Sequence, residues 1–250
     1  MKRIESAQNP RVKQWRKLHT RKEREKSGTF LVEGYHLVEE ALKNKQHISE
    51  IIFGENTAIP NNWDLDEVNL YLVTDDILKA LAETETSQGV FAVYRLQEYK
   101  NEQQWKKVLL LDAVQDPGNL GTIIRTADAA GIDAVILGEG TVDAYNAKTL
   151  RSSQGSIFHI PVVRGSIREW TEILKSQSIP VYGTALENAL PFKEIQSQPA
   201  FALMLGNEGK GVSAEHLAET DQNLYIPIHG NAESLNVAIA AGILLYHLRG

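Results

Sequence analysis

Apolar positions in this chain recur with two different periods, and the period changes several times along its length. Val12, Trp15 and Leu18 fall three apart behind Asn9, a capping residue, and Pro10, whose fixed φ suits a first helical turn. Arg11, Lys13, Arg16 and Lys17 lie between them, so the helix predicted there has a basic outer face. From Thr29 the pattern shortens: Phe30, Leu31 and Val32 read as a strand, as do residues 48–53, and Leu37, Val38, Ala41 and Leu42 mark a helix between them. A second round follows, with a strand over 68–73, a helix over 75–83 behind Thr74, and a strand over 89–96. The polar stretch 97–104 ends this small α/β unit and is the expected linker. The expected domains are therefore 1–100 and 105–250.

Beyond it, short apolar runs at 108–111, 134–137, 160–163, 181–185, 202–205 and 224–228 alternate with helical segments. Alternation of this kind predicts an α/β fold whose mostly parallel sheet carries helices on both faces. The last helix, over about 235–248, is apolar on nearly every side, with Val237, Ile239, Leu244 and Leu245 among small residues. Such a helix is either buried within its domain or covered by another subunit.

Composition narrows the chemistry. The 250 residues contain no cysteine, which excludes disulfides, thiolate metal sites and cysteine nucleophiles. The seven histidines show no paired metal-ligand spacing, so no metal is expected. No apolar run is long enough to span a bilayer and the start of the chain lacks the apolar core of a signal peptide, so the expected location is cytoplasmic, without a membrane partner. The net charge of −6 is unevenly spread: residues 1–26 hold ten Lys and Arg against three Glu, leaving 16 basic and 29 acidic residues for the rest. A basic end on an acidic body is the footprint expected of a phosphate-binding arm, and equally of a solvated charged helix.

In parallel sheets ligands sit beyond the carboxyl ends of the strands, which directs attention to three loops. The first follows Leu111 and contains Asp116, Pro117, Asn119, Gly121, Arg125, Thr126 and Ala127, with Asn119 near the start of a helix and Arg125 more than a turn further on. The second, Gly206, Asn207, Glu208, Gly209, Lys210 and Gly211, is glycine-rich. It lacks the GK[ST] ending of a phosphate loop, and no GxGxxG opens an early helix, which argues against a dinucleotide-binding oxidoreductase. The third runs from Ile226, Pro227 and Ile228 through His229 to Ser234, Leu235 and Asn236, where Ser234 is expected to cap the final helix. Trp15, Tyr35 and Tyr71 have the spacing of core aromatics rather than of a base-stacking platform, and His229 has no evident partner.

Together the three loops resemble, in the right order, the signature motifs of the SpoU (TrmH-type) RNA 2'-O-ribose methyltransferases of the SPOUT superfamily. The resemblance covers 108–250 strongly, and 6–96, with Asn9, Pro10, Arg11, Val12, Lys13 and the run Phe30, Leu31, Val32, Glu33, Gly34, is similar to the substrate-binding domain of ribosomal RNA members. Ala238 stands where many members carry serine, a small-for-small exchange. The resemblance implies a small N-terminal α/β substrate-binding domain and a C-terminal SPOUT domain with a trefoil knot. It also implies S-adenosylmethionine as cofactor and a homodimer through the C-terminal domain. Arg125, Asn119, Glu208, Ser234 and Asn236 are the implied catalytic set, and Leu205, Gly206, Asn207, Gly211, Ile226, Ile228 and Leu235 the implied cofactor contacts. Large-subunit ribosomal RNA is the implied substrate; a transfer RNA substrate, or a catalytically silent RNA-binding role in ribosome assembly, is the alternative. The family assigns the arginine as base, yet a guanidinium keeps its proton far above neutral pH, so a mixed role suits Arg125 better: stabilising a developing alkoxide and passing the proton toward an RNA phosphate.

Overall fold

The computed structural model describes residues 1–83, 86–97, 99 and 105–250, so the linker expected at 97–104 lies, apart from Gln97 and Tyr99, outside the described residues. The chain forms two compact units, Met1–Glu98 with Tyr145–Phe158, and Tyr99–Ala144 with His159–Gly250.

In the first unit the elements run β1 (Lys2–Ile4), α1 (Pro10–Lys17), α2 (Arg21–Ser27), β2 (Thr29–Glu33), α3 (Tyr35–Leu42), β3 (Ile48–Gly54), β4 (Asn69–Val73), α4 (Asp75–Leu81) and β5 (Val90–Arg95). Among the described residues its sheet has five strands in the order β1-β4-β3-β5-β2, with β1, β4 and β3 parallel and β5 antiparallel to both β3 and β2. Helix α1 starts where the sequence places it: Asn9 Oδ1 accepts from Arg11 N at 2.8 Å, and Val12 and Trp15 are buried. Trp15 meets Tyr71 edge-on at 5.2 Å, so both are core residues, and the Tyr35 hydroxyl donates to Ala58 O. The basic N-terminal segment is not a free arm. Its first strand pairs with β4, and α2, which has no apolar residue for a periodicity to register, is anchored by buried Arg24, whose Nη1 donates to Leu18 O at 2.6 Å.

The second unit contains β6 (Lys107–Leu111), α5 (Pro117–Ala129), β7 (Ala134–Leu137), β8 (Val162–Arg164), α7 (Ile167–Ser176), β9 (Val181–Thr184), β10 (Ala189–Pro191), β11 (Phe201–Leu205), α8 (Ala214–Leu217), β12 (Gln222–Tyr225) and α9 (Val237–Arg249). Helix α6 (Ala147–Ser153), between β7 and β8 in the chain, belongs to the first unit, where Tyr145 and Phe158 pack on Phe30. Seven strands in the order β10-β12-β9-β11-β6-β7-β8 are all parallel among the described residues. Central strands β6 and β11 are buried on both faces, which is why they read as continuous apolar runs. Strand order runs up-chain from β6 toward β7 and jumps to β11 on the other side, so a topological switch point lies between β6 and β11.

Two details depart from expectation, and a third bears on the alternatives left open for the last helix. The strand expected at 224–228 stops at Tyr225, leaving Ile226, Pro227 and Ile228 as loop. Ser234 does not cap α9; Asn236 does, its Oδ1 accepting from Ala238 N at 2.9 Å and Ile239 N at 3.4 Å. Helix α9 is not enclosed within the chain either: Leu244, Leu245 and Leu248 are buried, but Ile239 is 56% exposed and Tyr246 53%.

Candidate active site

Because β6 and β11 are neighbours in register, Leu111 opposite Leu205, the loops that follow them leave the sheet side by side. Asp112 N donates back to Leu205 O at 2.8 Å, and Asn207 Nδ2 donates across to Ala113 O at 2.9 Å. Asn207 also closes its own loop. Its backbone exchanges hydrogen bonds with Gly211, and its Oδ1 accepts from Gly209 N and Lys210 N. The turn is so tight that a Cβ at Gly206 would lie 2.0 Å from Gly211 C and Val212 N, so only glycine fits.

Glu208 joins the two loops. Its Oε1 accepts from Asp116 N and from Asn119 Nδ2, both at 3.0 Å, and its Oε2 from Gln115 N at 3.1 Å. Partial burial raises the carboxyl pKa, but the hydrogen bonds from Asn119, Asp116 and Gln115 outweigh it and hold the group below its ordinary value, so it is an anion at neutral pH. Asn119 sits in the first turn of α5, where Asp116 Oδ1 caps its backbone N–H at 2.8 Å. With Nδ2 committed to Glu208, Asn119 Oδ1 accepts from Asn236 Nδ2 at 2.9 Å. A single hydrogen-bonded chain thus runs from Glu208 through Asn119 and Asn236 to the first turn of α9, and it unites all three loops.

The remaining residues of the expected set fall around this chain. Arg125 is exposed on α5, and its guanidinium makes no hydrogen bond or ion pair among the described residues. Ser234 is exposed, Leu235 and Ile228 are each 37% exposed, and Ile226 is half-buried; Leu205 lies behind them in the core, 1% exposed. Among the described residues no backbone N–H or C=O of 226–235 bonds within the chain. Unpaired peptide groups beside half-buried apolar side chains suit a flat ligand with donors and acceptors on its edge.

One pair was not evident from the sequence. Asp112 is 8% exposed; its Oδ2 accepts from Ser213 N at 2.8 Å and faces His216 Nδ1 at 3.0 Å, tying the first loop to the start of α8. Burial raises its pKa, but the Ser213 hydrogen bonds and His216 outweigh that and leave it below the ordinary aspartate value. Its only sequence signal was an acid directly after an apolar strand. Among the described residues no group of His, Asp and Glu is placed to hold a metal ion, and no helix is long and apolar enough to cross a membrane.

A parallel sheet with its polar cluster at a switch point, tied by asparagines and a glutamate from three loops, defines a class, and comparison with known proteins names it. The chain belongs to the SpoU rRNA Methylase family, whose model matches residues 106–246; an MRM3-like substrate binding domain matches 9–92. It is 57% identical, over the whole of both chains, to the Bacillus subtilis 23S rRNA (guanosine(2553)-2'-O)-methyltransferase RlmP. Among solved structures it is similar to an AdoMet-bound rRNA methyltransferase from Sinorhizobium meliloti (TM-score 0.88, 30% identity, 99% of this chain and 97% of that one). It is also similar to the SpoU methyltransferase AviRb from Streptomyces viridochromogenes in complex with AdoMet (TM-score 0.85, 29% identity, 96% and 97%).

Proposed function

We propose that this chain methylates a ribose 2'-hydroxyl of large-subunit ribosomal RNA with S-adenosylmethionine as donor, at a guanosine equivalent to the one in the name of the Bacillus subtilis relative. The observation that carries this reading is the hydrogen-bonded chain from Glu208 through Asn119 to Asn236, which joins three loops.

The residues present fit the donor. The unpaired peptide groups of 226–235, with Ile226, Ile228 and Leu235 beside them, suit an adenosine, and the open backbone at Gly211, where an added Cβ would meet nothing, lets a ligand approach the 206–211 turn. When bound, S-adenosylmethionine supplies a methyl group on a sulfonium sulfur, and the leaving thioether is neutral. The chain's own task is to place the hydroxyl and manage one proton. Asn119 and Asn236 are held rigid by each other, so their amides orient the ribose. Glu208, already accepting three hydrogen bonds, has little capacity left to take a proton and acts as the anchor of Asn119. Arg125, with no carboxylate paired to it among the described residues, offers its guanidinium to the alkoxide that develops as the hydroxyl proton passes to a phosphate oxygen of the RNA. Exposed Ser234 is the further polar group of the third loop.

The same reading makes residues 1–100 the RNA-binding part and 105–250 the methyltransferase part, with the C-terminal segment knotted around the cofactor loops. It also makes the protein a homodimer through α9, whose outer face keeps Ile239 and Tyr246 exposed. A ribosomal substrate puts its work in the cytoplasm.

Calorimetry with S-adenosylmethionine, followed by methyl transfer to a 23S rRNA transcript and mapping of the modified ribose, tests the proposal. One 2'-O-methyl nucleotide at a fixed position is the expected result. Cofactor binding without transfer to any ribosomal or transfer RNA would leave a silent RNA-binding role instead.

A further inference from the structure

A cleft of about 420 Å³ in the first unit contains no residue of the motif loops and is lined from α1, α2 and strands β2, β3 and β5. Its size is that of a small-ligand site, roughly 300–1,000 Å³. At its floor Glu50 is buried with both oxygens taken: Trp15 Nε1 donates to Oε2 at 2.6 Å and Arg11 Nη1 meets Oε1 at 3.1 Å. Leu18 and Val93 supply buried apolar wall.

The rim differs in kind. Lys17 and Lys26 line the cleft, and the side-chain amine of neither has a hydrogen-bond or ion-pair partner among the described residues. Lys13, Arg16 and Lys22 on the same two helices are likewise unpaired there, in a chain whose net charge is −6. Unpaired cations gathered on one feature of an acidic protein call for an anion from outside. Glu23, also at the cleft and without a partner among the described residues, would repel a bare phosphate but accept hydrogen bonds from the N–H groups of a base.

We propose that this cleft seats one unpaired nucleotide of the RNA, its backbone phosphate on Lys17 and Lys26 and its base against Leu18 and Val93, with Glu23 taking a hydrogen bond from the base edge. This rests on the reading of the protein as RNA-directed. Because carbonyls flank the one N–H on the pairing edge of uracil, uracil ranks last.

The test is binding of labelled oligo(A), oligo(C), oligo(U) and a 23S rRNA transcript by the full chain without cofactor, across a range of KCl. Replacing Lys17 and Lys26 together by Ala should weaken binding on the order of tenfold and reduce the salt slope by about 0.7, one single-strand phosphate contact. It should raise the KM for RNA and leave kcat unchanged. Gln14→Trp, which fills the cleft from an exposed helical position, should weaken binding with the slope retained, and Glu23→Gln should erase the preference for A and C over U. Replacing Lys13 and Lys22 by Ala should lower the slope and keep that preference. Wild-type affinity in the Gln14→Trp variant, or no discrimination against oligo(U) by the unaltered protein, would overturn the proposal. Tight, uracil-averse RNA binding without methyl transfer would support the cleft and sink the enzymatic reading instead.

Discussion

Glu208 is an exposed acid in a glycine-rich turn, and its importance comes from what it accepts: two backbone N–H groups of the loop after β6 and the amide of Asn119. Glu208→Gln puts an NH2 group where one of those donors points, so methyl transfer should fall by roughly 10–100-fold, the range for a hydrogen bond to a charged group. Steady-state rates at saturating cofactor read this. For Arg125, Ala should remove on the order of 100–1,000-fold of kcat, the range for one oxyanion donor, and Lys should restore only part of it. A Lys variant at full rate would show that the planar guanidinium has no special task. Asp112 makes a stability prediction. Its folded pKa lies below the ordinary aspartate value, so its stabilising effect is present above that value, about 3.9, and is lost as the pH falls through the folded one. Asp112→Asn should therefore lower the urea midpoint at pH 7, and the gap to the unaltered protein should close below about pH 4.

At the scale of elements, α9 carries the sharpest expectation. Burial of Leu244, Leu245 and Leu248 leaves Ile239 and Tyr246 on the opposite side, one pair of turns apart, each more than half exposed. Ile239→Asp with Tyr246→Asp should convert the proposed dimer to a monomer in analytical ultracentrifugation, with the far-UV spectrum unchanged. An unaltered sedimentation coefficient would place any interface elsewhere. This helix also marks how far the sequence could be read. Its apolar run announced the element, but a run apolar on all sides does not say which side its own chain covers. Strands β6 and β11 were legible because burial on both faces writes a continuous apolar stretch. Helix α2 was not, because Arg21–Ser27 contains no apolar residue and is fixed by a buried arginine. The three-residue strands β1 and β10 are too short for a period to register. At the site, the glycines and the Asn and Glu positions could be read, whereas Asp112 with His216 is a meeting of distant residues that no local spacing records.

On the scale of the whole molecule, the sequence divides charge and chemistry between its two ends, and the fold keeps that division. Positive charge lies on β1, α1 and α2 of the first unit, and the polar loops lie at the switch point of the second. Removing residues 1–26 would take away an edge strand and two helices of the first unit, so charge reversal, not truncation, is the appropriate probe. Segment Tyr145–Phe158 adds a consequence: the chain leaves the second unit, contributes α6 to the first, and returns, so neither unit is a simple stretch of sequence.

The most direct measurement is ribose-methylation mapping of total ribosomal RNA from cells that lack this protein, complemented either by the unaltered chain or by Asn119→Ala. One 2'-O-methyl group in the large-subunit RNA should vanish on deletion, return with the unaltered chain and stay absent with the variant. A methylation pattern identical in all three strains would contradict the assignment of these loops as a methyl-transfer site.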